Sequence, residues 1–301
     1  MFDITFRPGT LADSYTVYTI FRQSILDLGQ RLGVMAITGG DNPDVLAQLW
    51  EDRRPLFEHL AGTAEHFWLA EKDGQPIGYA RTIVRDGVRE LTEFFVLPQH
   101  QLAGIGRKLL GRVFPADDIK RRVIIATPDT RSLARYLKVG VYPRFPTFYL
   151  SRSAEKVAVA SDLRPEPIAL SPENLARLRA IDLTVLGHQR DIDHTWLLEV
   201  QQGYLYYRGR ETVGYGYLGQ SQGPFALLNE ADFPAVLAHA ETEAAAQGDV
   251  FGVEVPMINR AAVDYLLGRG CQLDSFFAFF MSDALFGKFE NYIFPSPPFF
   301  M

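Results

Sequence analysis

Apolar residues along the chain fall into two periods, broken at glycine and proline, and the breaks mark the joints between elements. Ile4–Arg7 alternates and predicts a short strand, and Leu11–Leu32 carries a helical period. Gly39-Gly40-Asp41-Asn42-Pro43 interrupts it before a second helix from about Pro43 to Leu60, with Pro43 in the first turn. Three strands are then predicted at His66–Glu71, Pro76–Val84 and Glu90–Leu97, separated by Asp73-Gly74 and Asp86-Gly87 turns. A helix starts at Ile105 or Gly106 and ends near Phe114-Pro115. Val123–Ala126, Ser132–Val139 and Phe145–Leu150 add a strand, a helix and a strand. This order describes a mixed, mostly antiparallel sheet flanked by helices, an α/β (mixed α+β) class.

The second half repeats the order. Ser153–Pro167 is small, polar and proline-bearing and reads as a boundary, followed by the helix start Ser171-Pro172-Glu173. Helices are predicted at Leu175–Val185, Phe233–Gln247 and Arg260–Leu267. Strands are predicted at Gly203–Tyr207, Thr212–Leu218, Pro224–Leu228, Val250–Val255 and Phe276–Met281. A duplication of about 130 residues follows, with tandem domains over 1–152 and 153–301. The closing stretch Phe286–Met301 is so aromatic that it is expected to pack against the body or a partner chain.

Composition narrows the class. The 301 residues are 47% hydrophobic and 22% charged, the balance of a globular chain with a sizeable core. A net charge of -6 argues against nucleic acid as a partner. It divides unevenly: 20 Lys/Arg against 17 Asp/Glu before residue 153 (+3), and 10 against 19 after it (-9). One cysteine, Cys271, excludes an intramolecular disulfide and a four-thiolate zinc site. No apolar run reaches membrane-spanning length, and Met1–Thr5 has no signal-like core. A cytoplasmic protein with no membrane partner is expected. His188, Asp191, Asp193 and His194 read as a polar loop, and no metal is expected.

The segment from Glu90 to Leu110 carries the chemistry. A strand ends at Pro98, a glycine loop turns, and a helix opens at Gly104-Ile105-Gly106. Free backbone N–H groups and the positive end of such a helix suit a pyrophosphate, with Arg107 and Lys108 adding charge. The third glycine of a dinucleotide fingerprint is missing, Leu109 standing in its place, and no Gly-Lys-Ser/Thr is present.

Gln101-Leu102-Ala103-Gly104-Ile105-Gly106 resembles the Gln/Arg-x-x-Gly-x-Gly/Ala signature of the GNAT superfamily of N-acetyltransferases. Arg135-Tyr136-Leu137-Lys138-Val139-Gly140-Val141 resembles that family's Leu-Tyr-Glu-Lys-x-Gly-Phe step, with Asp129 where Asn is common and Val141 where Phe is usual. The resemblance implies acetyl-CoA along Phe95-Val96-Leu97, on the cradle Gln101 to Arg107, and near Asp129, Ser132 and Tyr136. A backbone N–H at the strand end would hold the thioester carbonyl, and Tyr136 would protonate the leaving thiolate. The acceptor would be a small-molecule or peptide amine, attacking directly. Such an amine has pKa of about 10 and needs a base, with Glu90 the first candidate and Glu93 the second. Strand alternation puts Glu90 with Thr92 on one face and Glu93 on the other unless a bulge intervenes. Either carboxylate could instead sit in an ion pair with Arg89 or Arg81. His100 is expected beside the cofactor, and Arg31–Asp44 around the acceptor.

Asn259, Ala262, Leu266 and Gly270 reproduce the spacing of Asp129, Ser132, Tyr136 and Gly140 at an offset of 130, without the tyrosine. No glycine lies between Gly223 and Gly248, so the second half reads as a degenerate copy. A homodimer is an admissible assembly. A non-catalytic acyl-CoA-binding or protein-interaction module that kept the fold is the competing reading.

Overall fold

A computed structural model describes residues 4–34, 43–101, 104–248 and 250–301. In chain order the elements are β1 (Ile4–Pro8), α1 (Ser14–Leu32), α2 (Pro43–Gly62), β2 (Ala64–Lys72), β3 (Gln75–Arg85), β4 (Val88–Val96), α3 (Ile105–Val113), β5 (Arg121–Ala126) and α4 (Thr130–Lys138). There follow β6 (Tyr142–Ser153), β7 (Leu163–Pro167), α5 (Pro172–Val185), α6 (Asp191–Val200), β8 (Gln202–Arg208), β9 (Glu211–Leu218) and β10 (Phe225–Leu227). The last are α7 (Phe233–Gln247), β11 (Val250–Pro256), α8 (Arg260–Gly268), β12 (Gln272–Ser282) and β13 (Tyr292–Ile293). Two compact units divide the chain, 1–142 and 143–301.

In the first unit, β1, β2, β3 and β4 form an antiparallel meander, and β5 joins β4 in parallel. The hairpin corners sit at Asp73-Gly74 and Asp86-Gly87, all four residues at positive φ, as two-residue hairpins demand. One register shift has consequences for the site. Arg81 lies opposite Glu93 and Thr82 opposite Leu91, so Thr92 is the extra residue of a β-bulge. Glu90 faces Ile83 and Glu93 faces Arg81 across the pair, and Ile83 and Arg81 share a face of β3. The bulge therefore puts Glu90 and Glu93 on the same face, not the opposite faces that plain alternation gives.

In the second unit, β7, β8, β9 and β10 repeat the meander. Ser153–Pro167 is not all boundary. Its end, Leu163–Pro167, is strand β7, at the sheet edge where Pro165 and Pro167 leave no ladder bond unmade. Strand β6 pairs with β11 over Ser153 to Thr147, which places it with the second unit rather than the first. The stretch read as a polar loop is also corrected. Asp191–Val200 is helix α6, with Asp191 and Asp193 in its first turn, where the helix dipole favours them.

His194 is fully buried. Its Nε2 lies 2.7 Å from Asp182 Oδ2 and its Nδ1 2.8 Å from the Tyr217 hydroxyl. Asp182 also accepts from Arg190 and from the Tyr215 hydroxyl at 2.5 Å. Burial alone would push this carboxyl up, but Arg190 and His194 hold it down at about 2. The expected packing of the aromatic tail is seen: Phe289, Tyr292, Ile293 and Phe294 are buried.

Glu254 on β11 behaves oppositely. The residue keeps some surface, but protein surrounds its carboxyl, and burial followed by the nearby Asp274 carboxylate pushes it up to about 8. Between the ordinary carboxylate range and pH 8 the folded chain holds a proton there that the unfolded chain has lost. Stability from this group therefore falls as pH rises through that window, by up to about 1.4 kcal/mol per pH unit. Glu254→Gln should gain on the wild type steadily from pH 5 to pH 8 and level off above. Urea midpoints at each pH check this, and a pH-independent difference would refute it.

Candidate active site in the first unit

Strand β4 pairs with β5 only over Val88–Leu91, against Arg121–Ile124. Beyond Leu91 the two strands part. A cleft opens there, lined by Thr92 to Val96 on one wall and by Ile124 to Thr127 on the other. At one end lies the start of α3. Its N-cap is Gly104, at φ 77°, with no side chain capping the helix and open space where a Cβ would stand. A glycine is required by that φ, and the first N–H groups of α3 are left for a ligand. Gly106 meets a different constraint: a Cβ there would lie 3.0 Å from the Phe94 ring.

Arg31 from α1 and Arg131 and Arg135 from α4 line the same cleft. Arg131 and Arg135 are one turn apart on α4, so both project to one side. Asp129 caps α4 by accepting from the Arg131 N–H at 3.1 Å. Burial pushes Asp129 up, but the Arg131 side-chain and backbone bonds and the charge of Arg31 hold its carboxyl below the ordinary value. An uncapped helix start that opens on a cleft lined by three arginines fits a pyrophosphate.

Tyr136 is 6% exposed, lines the cleft, and stands edge-on to Phe94 with centroids 6.2 Å apart. Burial first, then the Asp129 charge, raises its hydroxyl well above the ordinary tyrosine value, while a hydrogen bond with Ser132 opposes them. The hydroxyl is thus a proton carrier throughout the neutral range. At the strand end, Leu97 donates its N–H to Ile77 O at 2.9 Å. Backbone groups alternate sides along an antiparallel strand, so Phe94 and Val96 turn theirs away from β3 toward the cleft. The Val96 carbonyl accepts from Gln101 Nε2 at 3.0 Å and more weakly from the Ser24 hydroxyl.

The residues singled out from sequence therefore divide. Glu93, Phe95, Val96, His100, Gln101, Gly104, Gly106, Asp129, Ser132 and Tyr136 come together at the cleft. Glu90, Leu97, Ile105 and Arg107 are not among its lining residues; Ile105 is buried beneath α3 and Arg107 is exposed. Leu102 and Ala103 lie outside the described residues, as do 35–42 of the segment expected to shape the acceptor site. Ser24, Leu28 and Arg131 line the cleft without having been singled out, while Arg31 opens the segment expected at the acceptor and Arg135 the second motif. Only the i, i+4 arginine pair Arg131 and Arg135 left a local signal.

Glu93 is held by an ion pair in which both partners are fully buried. Arg81 Nε donates to Oε2 at 2.6 Å, its Nη2 makes a second bond to the same oxygen, and the Tyr79 hydroxyl donates to Oε1 at 2.7 Å. Arg81 Nη1 completes the set on Phe57 O. Arg89 instead pairs with Glu65 and Asp117. Among the described residues, no group of three or more His, Cys, Asp or Glu is placed to hold a metal, and no helix is long and apolar enough to cross a membrane.

Residues 63–143, the stretch that builds this cleft, match the family model of an acetyltransferase (GNAT) domain. Over that stretch the chain is similar to a GNAT acetyltransferase domain. A candidate acetyltransferase from Pyrococcus horikoshii aligns with a TM-score of 0.70 at 15% identity, over 96% of this chain and 92% of its own. A tandem GNAT protein from the clavulanic acid biosynthesis pathway aligns with 0.56 at 13%, over 93% and 98%. A GCN5-related N-acetyltransferase from Sphaerobacter thermophilus gives 0.58 at 13%, over 93% and 95%. At these identities the likeness is one of fold. A sequence search of curated proteins finds no match.

Removing one partner of the buried pair leaves the other charge unpaired. Arg81→Met should therefore cost about 3–5 kcal/mol, and the double change Arg81→Met with Glu93→Leu should recover most of it. Denaturant midpoints of the three chains decide the matter; a single variant as stable as the wild type contradicts the pairing.

Proposed function

We propose that the first unit is an acetyl-CoA-dependent N-acetyltransferase acting on a primary amine, and that the second unit has no catalytic role. The observation that carries this reading is the cleft itself: an uncapped helix N-terminus, the arginines Arg31, Arg131 and Arg135, and a buried, protonated Tyr136 all line it. Acetyl-CoA would bring an electrophilic thioester and a thiolate leaving group.

The residues divide the remaining work. The α3 N–H groups and the three arginines hold phosphate oxygens by charge-assisted bonds. The Val96 N–H, directed into the cleft, is the donor for charge building on a carbonyl oxygen. Tyr136 gives its proton to the departing sulfur and Ser132 orients the hydroxyl. Glu93 does not meet the incoming ammonium: its side chain is fully buried and its oxygens accept from Arg81 and Tyr79, so it fixes the wall and the amine's proton leaves to water. Direct transfer needs both reactants held together and no protein nucleophile, and Cys271, the single cysteine, lies in the second unit.

Thiol release from acetyl-CoA over a panel of amines tests the reaction. Tyr136→Phe should lower kcat on the order of 100-fold with little change in KM for acetyl-CoA. Arg135→Ala should do the reverse, raising that KM by about 10-fold or more with kcat nearly kept. Calorimetric binding without turnover on any amine would favour the non-catalytic acyl-CoA-binding reading, and no binding would end both.

A further inference from the structure

In the second unit the two corresponding strands do not pair with each other at all, and a stretch of the chain's own tail lies between them. In the first unit β4 and β5 part after Leu91 and leave the cleft. The corresponding strands of the second unit are β10, which follows β9 in the meander, and β11, which leads into α8 as β5 leads into α4. Between them runs a third strand. β13 pairs antiparallel with β10, Phe225 opposite Ile293 and Ala226 opposite Tyr292. The next residue, Phe294, bridges to β11, donating its N–H to Glu254 O at 3.0 Å.

We propose that Tyr292–Phe294 is a built-in occupant of the second unit's cofactor cleft, a peptide strand standing where the first unit is open to an acyl-CoA, so that the second unit takes up none. The contacts are those of a seated ligand. Asn259, the counterpart of Asp129, donates from Nδ2 to the Tyr292 carbonyl at 3.2 Å while its Oδ1 caps α8. Asn291 donates to Leu227 O at 2.7 Å. Gly223 lies so close that a Cβ would stand 2.5 Å from Phe294 O, at a φ of 102° that also calls for glycine. Tyr292, Ile293 and Phe294 are fully buried. Just ahead of α7, Asn229 accepts from the Ala231 N–H and the Asp232 carboxylate pairs with Arg208, so the chain's own oxygens stand where a phosphate would have to lie.

Hydrogen exchange followed by mass spectrometry on the full chain tests this. Peptides covering 289–294 should exchange at least about 100-fold more slowly than an unstructured peptide, as core strands do. They should keep that protection in millimolar acetyl-CoA. Exchange within seconds, or tail protection lost on adding acetyl-CoA, would overturn the proposal. Peptides over 92–106 report separately: their slowing with acetyl-CoA tests the first unit alone. Asn259→Asp installs the first unit's residue, keeps the helix cap and removes the donor to Tyr292. It should speed tail exchange about 10-fold or more, and unchanged exchange would overturn the role given to Asn259.

Discussion

A sheet strand that loses its neighbour must still satisfy its N–H and C=O groups, and this constraint organises both units. In the first, β4 outruns β5 by five residues, Thr92 to Val96. The end of that overhang is met locally, the Val96 carbonyl by Gln101 and more weakly by Ser24. Inward-facing backbone along the rest is what makes a binding wall. In the second, β10 has no pairing with β11, and its free edge is met by another stretch of chain. One topological feature thus yields an open cleft or a closed one, according to what supplies the missing strand.

Keeping a cleft open in a sheet requires that the wall not drift, and the bulge at Thr92 does part of this. It turns Glu93 onto the face of Arg81, where the pair is dry and bonded at nearly every donor and acceptor. A buried ion pair contributes little net stability over an apolar one. Its effect here is geometric: Arg81 joins β3, β4 and the carbonyl of Phe57 in α2 at the point where β4 leaves β5. The wall begins at a fixed place with a carboxylate at its start.

Much of the fold was legible because the meanders alternate cleanly and their corners carry Asp-Gly and Gly signals. What escaped were features set by distant partners. Leu163–Pro167 holds two prolines and is a strand only because it lies at an edge. Asp191–Val200 looks polar because it carries Asp193 and His194 into the interior, where Asp182 and Tyr217 satisfy His194. The glycine loop of the site was legible because Gly104 needs its φ locally. Arg31 was not, since it arrives from α1, some seventy residues before the loop it joins. Nor could alternation place Glu93, because a bulge depends on the register of the opposing strand.

The difference between the halves is written most clearly on the paired helices α4 and α8. At an offset of 130, Asp129 becomes Asn259, Arg131 becomes Ala261, Ser132 becomes Ala262, Arg135 becomes Tyr265 and Tyr136 becomes Leu266. Each of these changes removes a charge or a hydroxyl, and at Arg135 an aromatic ring takes the place of the charge. Ala262 and Leu266 are fully buried in the second unit's core, with Ala261 and Tyr265 packed against it. Arginines at 261 and 265, both partly buried against that core, would bring charge to its edge without a phosphate to meet it. The apolar face of α8 and the strand seated between β10 and β11 therefore require one another.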